Sequence, residues 1–235
     1  MRLQHIPLNK ILFLDIETVP AFSSYDELPT RLQKAWNKKS EYIIKDSDTT
    51  PAEAFEKRGG IYAEFGKIVT IAVGLVNIQN GEKSIRLKSF TSDDERQLLL
   101  DFKQLLDTHY HSDNYFLCAH NGKEFDFPYI ARRMLINRIE LPHLLDIAGK
   151  KPWEIQHLDT LELWKFGDYK HYTSLELLAA LFNIPSPKDD IDGSEVASVY
   201  YNDKNLDRIS QYCQKDVKTL INLFLSYRGE DIIND

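Results

Sequence analysis

The sequence predicts an α/β protein in which helices cover both faces of a mixed central β-sheet. An Asn80-Gly81 pair separates two apolar runs, which is typical of a β-hairpin. Helical and strand-like patterns alternate after that hairpin, which indicates a sheet that is not purely antiparallel. The chain has no internal repeat and no low-complexity tract. We therefore expect one domain over residues 1–235.

The first third of the chain begins with an apolar strand over residues 10–16, KILFLDI, which becomes polar at its end. Residues 21–60 are polar and lack period-two alternation. They predict a largely helical insertion between the first and second strands. The hairpin strands are then expected at residues 68–78 and 83–90.

After the hairpin, segments with helical spacing alternate with segments that look like short strands. Residues 92–109 repeat leucine at helical spacing behind Ser92, which we expect to cap that helix. The other expected elements are strands at 115–120 and 157–163 and helices at 126–138, 174–183 and 205–227.

Composition is that of an ordinary soluble protein, with 43% hydrophobic and 28% charged residues. No apolar run reaches the ~20 residues that span a bilayer, so no membrane partner is expected. Cys118 and Cys213 lie inside expected elements, and the first residues lack an apolar signal region. Both observations predict a reduced, cytoplasmic protein. The net charge of −7 argues against a broad basic surface that coats nucleic acid.

The stretch LFLDIETVP, residues 12–20, places Asp15 and Glu17 at the end of an apolar run. Residues two apart in a strand point to the same face, roughly 7 Å apart, so the two acids are expected together at or just beyond the strand end. A solvated strand terminus is one explanation. A hard-cation site is the other, because Mg²⁺ and Mn²⁺ prefer carboxylate oxygens.

Two later stretches supply further acids. In HNGKEFDFPYI, residues 120–130, Asp126 stands at an expected helix start, where an N-cap is the ordinary role. Phe125 beside it offers an aromatic face of the kind that stacks on bases. In QYCQKDV, Tyr212 and Asp216 are four residues apart and share a helix face. Taken alone, that pair is an ordinary surface pair.

The ordered motifs DIET, NGKEFD and YCQKD resemble those of the DEDD family of 3′–5′ exonucleases, whose fold is ribonuclease-H-like. The wider sequence looks most like the proofreading exonuclease domain of family-B DNA polymerases, here without a polymerase. By this resemblance, Tyr212 assigns the chain to the tyrosine subclass. The histidine subclass would have a His at the position that Gln211 occupies. The metal ligands that the resemblance implies are Asp15, Glu17, Asp126 and Asp216.

The resemblance also implies a chemistry. Four clustered carboxylates repel one another and raise one another's pKa values, whereas two divalent cations, Mg²⁺ or Mn²⁺, balance their charge. In phosphodiester hydrolysis one cation lowers the pKa of a bound water and the other stabilises the leaving 3′ oxygen. Tyr212, with an ordinary pKa near 10, is expected to orient the attacking water and not to deprotonate it.

The expected partner is a nucleic acid with a 3′ end, single-stranded DNA in particular, and no protein partner is indicated. Thr18 occupies the family position that touches the terminal nucleotide, mostly through its backbone. Asn121 is a candidate for holding the 3′ end, although an Asn before Gly is equally well explained as a turn residue. Phe125 is a candidate for stacking. Lys188 is a candidate phosphate contact in a polar loop, where a solvated lysine is the ordinary explanation.

Two other functions stay open. One is a nucleic-acid-binding module of the same fold without catalysis, although all five expected side chains are present. The other is a phosphatase, since FLDIET also resembles the DxDxT opening of haloacid-dehalogenase-type enzymes, which use the first Asp as nucleophile. Glu17 stands where the second Asp of that motif belongs. The NGKEFD and YCQKD motifs would then have no explanation.

Overall fold

The computed structural model describes residues 3–44, 48–168, 172–185 and 191–234. Five strands occur in these ranges. In chain order they are Ile11–Pro20 (β1), Gly66–Gln79 (β2), Glu82–Thr91 (β3), Phe116–Ala119 (β4) and Leu158–Asp159 (β5).

The strands form one mixed sheet in the order β3-β2-β1-β4-β5. The β1–β2 and β2–β3 pairs are antiparallel, and the β1–β4 and β4–β5 pairs are parallel. The predicted mixed α/β sheet is confirmed, and its arrangement is consistent with a ribonuclease-H-like fold.

The hairpin between β2 and β3 forms where the sequence predicts it. Asn80 and Gly81 both have positive φ angles, 52° and 85°, as a two-residue type I′ turn requires. Gln79 pairs directly with Glu82. The pairing of β2 with β3 therefore continues up to the turn. Both strands are longer than the apolar runs that predict them in the sequence.

Helices fill the connections between the strands. The α-helices are Thr30–Ser40 (α1), Pro51–Arg58 (α2), Glu95–His109 (α3), Asp126–Ile136 (α4), Thr160–Lys165 (α5), Leu175–Leu181 (α6), Val196–Ser198 (α7) and Leu206–Tyr227 (α8). A π-helical turn spans Val199–Asp203, and 3₁₀ turns span Leu3–His5, Leu8–Lys10, Tyr25–Glu27, Gly59–Ile61, His143–Leu145 and Pro152–Glu154. No described helix is both long enough and apolar enough to cross a membrane.

The sheet is covered on both faces, as predicted. Leu12, Leu14 and Ile16 of β1 pack in one cluster with α3 and α4. Phe13 on the opposite face packs with α8. A Cβ on Gly74 of β2 would lie 2.8 Å from side-chain atoms of both Val217 and Ile221. Glycine at this position therefore lets α8 lie close against the sheet.

Three predicted boundaries are wrong. The strand expected at 157–163 ends at Asp159, because the Asp159 carboxylate accepts hydrogen bonds from the N–H groups of Leu161 and Glu162 and so starts α5. The helix expected behind Ser92 is capped by Asp94. The first strand continues to Pro20, because its second half pairs with β2.

The polar segment between β1 and β2 contains α1 and α2 and has an apolar centre of its own. Trp36 is fully buried and packs edge-to-face against Phe55 and Phe65, with ring centroids 5.4 and 5.0 Å away. Its indole N–H donates to the Pro51 carbonyl at 2.7 Å. The assignment of residues 21–60 as an insertion within a single domain stays a prediction.

We expect Trp36→Ala to destabilise the α1–α2 segment by about 3–5 kcal/mol, because it removes a fully buried indole and leaves a cavity. Urea denaturation and hydrogen exchange of the α1 amides measure this loss. Trp153→Ala is the matched control, since Trp153 is 78% exposed and its loss should change stability by about 0.5 kcal/mol or less. Equal effects of the two substitutions would contradict a core built on Trp36.

Candidate active site

Asp15 and Glu17 lie within β1 and point to the α8 face of the sheet. They alternate with Leu14 and Ile16, which pack on the other face. The expectation that the acids lie at or beyond the strand end is wrong, because pairing of Asp15 with Ala72 and of Glu17 with Thr70 continues the strand past them.

The sheet nevertheless opens beside these acids. The pairing of β1 with β4 covers only Ile11, Leu12 and Phe13 of β1. Beyond Phe13, that edge of β1 has no strand partner among the described residues. The ladder with β2 is also irregular here, since Val69 is skipped between the partners of Glu17 and Thr18. The two acids therefore stand at a gap between strands, which is where open α/β sheets bind ligands.

Asp126 reaches the gap from the loop that follows β4. The loop turns at Asn121, whose φ is 64°, and is held by the buried Asp159. The carboxylate of Asp159 accepts from the backbone N–H groups of Asn121 at 2.9 Å and Lys123 at 3.1 Å. Asp126 is the first residue of α4, and the N-cap position belongs to Phe125. Asp126 is 3% exposed, and its Oδ1 has no hydrogen-bond partner among the described residues.

Tyr212 and Asp216 approach from α8, one helical turn apart. The Tyr212 hydroxyl is hydrogen-bonded to the Asp216 carboxylate. The apolar face of α8 is anchored on Phe13, Ala72 and Val76 of the sheet. The helix thereby brings its two polar groups to the side of β1 that carries the first acids.

The four acids act on one another electrostatically. Burial raises the pKa of Asp15 well above its usual value, and Glu17, Asp126 and Asp216 raise it further. Burial and then the charges of Asp216 and Asp126 raise the pKa of Glu17 in the same way. The pKa of Asp126 is raised to about 7 and that of Asp216 to about 6, each mainly by burial. The structure therefore brings all four predicted acids into one interacting group.

Tyr212 is a hydrogen-bond donor at this site. Burial, followed by the charges of Asp216, Glu17 and Asp15, raises the pKa of its phenol well above the ordinary value near 10. The hydroxyl therefore stays protonated at neutral pH. Such a group can donate to a carboxylate and accept from a water, but it is a poor base.

The arrangement fits divalent cations. Asp15, Glu17 and Cys213 each place a potential ligand atom within 4.8 Å of the others, and Asp126 adds a buried oxygen that has no hydrogen-bond partner in the described part of the chain. Orphaned buried carboxylate oxygens are unfavourable unless a proton or a cation meets them. A set dominated by carboxylates suits Mg²⁺ and Mn²⁺.

The four predicted substrate contacts, unlike the four acids, do not form one group. The Thr18 side chain is hydrogen-bonded to the hydroxyl of Tyr129, on the face away from Glu17, which leaves its backbone for other contacts. Asn121 forms the turn through its backbone. Phe125 is partly exposed and tilted against Tyr129 at 5.3 Å. Lys188 lies outside the described residues. The roles of all four in substrate binding stay predictions.

Two residues near the site carry no prediction from the sequence. The Cys213 thiol contacts Asp15, and its only signal is its place within YCQKD. Tyr172 is 66% exposed, its ring meets the edge of His120 at 6.2 Å, and its pKa is raised by burial and then by Asp126 and Asp15. Tyr172 thus stands near the acids, on a loop whose sequence pattern shows nothing unusual.

Comparison with known proteins gives two findings. A family described as a predicted 3′–5′ exonuclease related to the exonuclease domain of PolB matches residues 61–230. A DNA polymerase from Pyrococcus glycovorans is 24% identical over 120 residues, which cover 46% of this chain and 15% of the polymerase. The chain is thus similar to a small part of that relative.

We expect the acid cluster to destabilise the metal-free protein as pH rises. The pKa of Asp126 is about 7 when folded, against 3.8 ordinarily. Between about pH 4 and pH 7 the folded state keeps a proton on Asp126 that the unfolded state releases. The free energy of unfolding therefore falls as the pH rises through this range. Asp126→Asn removes this loss and should make the variant more stable than the wild type at pH 8, by on the order of 2 kcal/mol.

Melting curves in chelator from pH 4.5 to 8 measure the difference between variant and wild type. Asp231→Asn, at an exposed position, is the control and should show no such trend. A difference for Asp126→Asn that does not change with pH would contradict the raised pKa.

Proposed function

The chain belongs to the family of predicted 3′–5′ exonucleases related to the exonuclease domain of PolB, and from this premise we propose its reaction and its catalytic residues. It hydrolyses phosphodiester bonds at the 3′ end of a nucleic acid, with single-stranded DNA as the preferred substrate and two divalent cations, Mg²⁺ or Mn²⁺, as cofactors. The observation that carries the proposal is the convergence of four acids from β1, α4 and α8 beside a protonated tyrosine; Glu17 and Asp126 are buried, and Asp15 and Asp216 are half-buried.

In this proposal Asp15, Glu17, Asp126 and Asp216 hold the cations. When bound, the cations supply charge stabilisation at the leaving 3′ oxygen and lower the pKa of the attacking water. Their positive charge also offsets the repulsion that raises the pKa values of the acids. The carboxylates would then be fully ionised at neutral pH.

Tyr212 positions the attacking water. Its hydroxyl donates to Asp216, which leaves its lone pairs to accept a hydrogen bond from the water. Because the phenol stays protonated, it orients the nucleophile and does not deprotonate it. This role supports the tyrosine subclass of the DEDD exonucleases as the assignment of the chain.

Phe125 and the backbone of Thr18 are the proposed contacts of the terminal nucleotide. The partly exposed Phe125 ring precedes Asp126 directly, so a stacked base would carry its phosphate to the acids. A net charge of −7 suits a protein that grips one strand end through cations better than one that coats a duplex.

We predict that the purified protein shortens a 5′-labelled DNA strand from its 3′ end and releases mononucleotides with Mg²⁺ or Mn²⁺. Chelation should abolish cleavage. Ca²⁺ should support binding without cleavage, because it accepts looser geometry and longer bonds. Single-stranded DNA, RNA and a recessed duplex, assayed in parallel, identify the preferred substrate.

Other products would point to other functions. Inorganic phosphate from monoesters indicates a phosphatase, and retention of the strand without any product indicates a binding module. Undiminished cleavage in excess chelator would refute the metal mechanism.

We predict a ranking among active-site variants. Asp15→Ala or Asp126→Ala removes a metal ligand and should lower the single-turnover rate by on the order of 10³-fold or more, about 4 kcal/mol. Tyr212→Phe keeps the ring and the acids and loses one orienting hydrogen bond, so its rate should fall by roughly 10- to 10²-fold. Rates at saturating Mg²⁺ measure both losses. If Tyr212→Phe were as damaging as Asp15→Ala, orientation of the water would not account for the tyrosine.

A further inference from the structure

Cys213 makes a direct contact with a proposed metal ligand. It follows Tyr212 in α8 and is fully buried. Its Sγ lies 3.2 Å from Oδ2 and 3.4 Å from the backbone oxygen of Asp15. The thiol is a weak hydrogen-bond donor, and the Asp15 carboxylate oxygen accepts from it.

This contact links the two halves of the acid cluster. Asp15 belongs to β1, and Cys213 lies on α8 three residues before Asp216, on the same helix face. The contact therefore joins α8 directly to the first acid of β1. It also occupies one position around the Asp15 carboxylate, which leaves the remaining lone pairs of that carboxylate for a cation.

We propose that Cys213 is a positioning residue, whose thiol holds the Asp15 carboxylate in the orientation that binds a divalent cation. This inference rests on the proposed function, since it takes Asp15 to be a metal ligand. Groups that hydrogen-bond to metal ligands commonly change metal affinity by 10- to 100-fold when they are removed. Cys213 belongs to this class of residue, with a softer donor than a hydroxyl or an amide.

The competing explanation is packing alone. Cys213 also lies in the apolar cluster with Phe13 and Val217, so any substitution disturbs the core. Cys118 offers a matched comparison. It is equally buried, lies in the same cluster, and makes no hydrogen bond to a proposed metal ligand in the described part of the chain.

The test measures Mn²⁺ binding to substrate-free protein, from the electron paramagnetic resonance signal of the unbound ion. Cys213→Val keeps most of the volume without a donor, Cys213→Ala removes the donor without overpacking, and Cys213→Ser keeps a donor. Cys118→Val, Cys118→Ala and Cys118→Ser are the controls. Melting temperatures in chelator show which variants are folded.

We expect Cys213→Val and Cys213→Ala to bind Mn²⁺ about tenfold more weakly, with Cys213→Ser between them and the wild type. The Cys118 variants should stay within about twofold of the wild type, even where they melt earlier. Rescue by serine distinguishes positioning from packing, because serine restores a donor and not the lost apolar contacts.

Two results would overturn the proposal. Unchanged Mn²⁺ affinity in folded Cys213→Ala or Cys213→Val would show that the thiol only packs. Equal weakening in the Cys118 variants would show a general effect of core disturbance. Failure of the proposed function is a different result, because it appears in the wild type as intact Mn²⁺ binding without nuclease activity. Absence of Mn²⁺ binding in the wild type would overturn both.

Discussion

Repulsion among four clustered carboxylates, two of them buried and two half-buried, is the constraint on which the rest of this structure depends. Burial raises the pKa of Asp15, Glu17, Asp126 and Asp216, and the charges of Asp126 and Asp216 raise the pKa values of Asp15 and Glu17 further. This arrangement is unfavourable for the acids themselves, because each acid would be more stable facing water. The packing of the surrounding residues must hold the acids in place against their mutual electrostatic repulsion. The site is therefore a local instability maintained by the stability of the fold.

Three features other than the four acids themselves hold these acids in place. Gly74 allows α8 to lie close to the sheet, which brings Tyr212 and Asp216 near β1. Asp159 ends β5, starts α5 and holds the loop before Asp126 with a single carboxylate. The limited pairing of β1 with β4 leaves the gap that the acids face. Each of these three features acts through the backbone or through packing, and together they determine the distances between the four carboxylates.

The sequence predicted those parts of the fold and site that depend on local chemistry. The hairpin follows from Asn80-Gly81, and the four acids follow from the order of their motifs. The parts that it did not predict depend on distant partners. β1 extends past Glu17 only because β2 pairs with it, and the predicted strand at 157–163 becomes helix because Asp159 caps it. The contact between Cys213 and Asp15 joins residues 198 positions apart, so no local pattern could reveal it.

The wide separation of the acids along the chain also has a consequence for biosynthesis. During translation, Asp15, Glu17 and Asp126 emerge long before α8, which carries Asp216 and covers one face of the sheet. In a nascent chain without α8, the face of the sheet that α8 covers is exposed to water. The first three acids therefore stay hydrated and repel one another only weakly. The repulsive cluster is completed when the last long helix docks. Docking of α8 is thus the step that completes the acid cluster, so a chain without α8 has only three of the four proposed metal ligands in place.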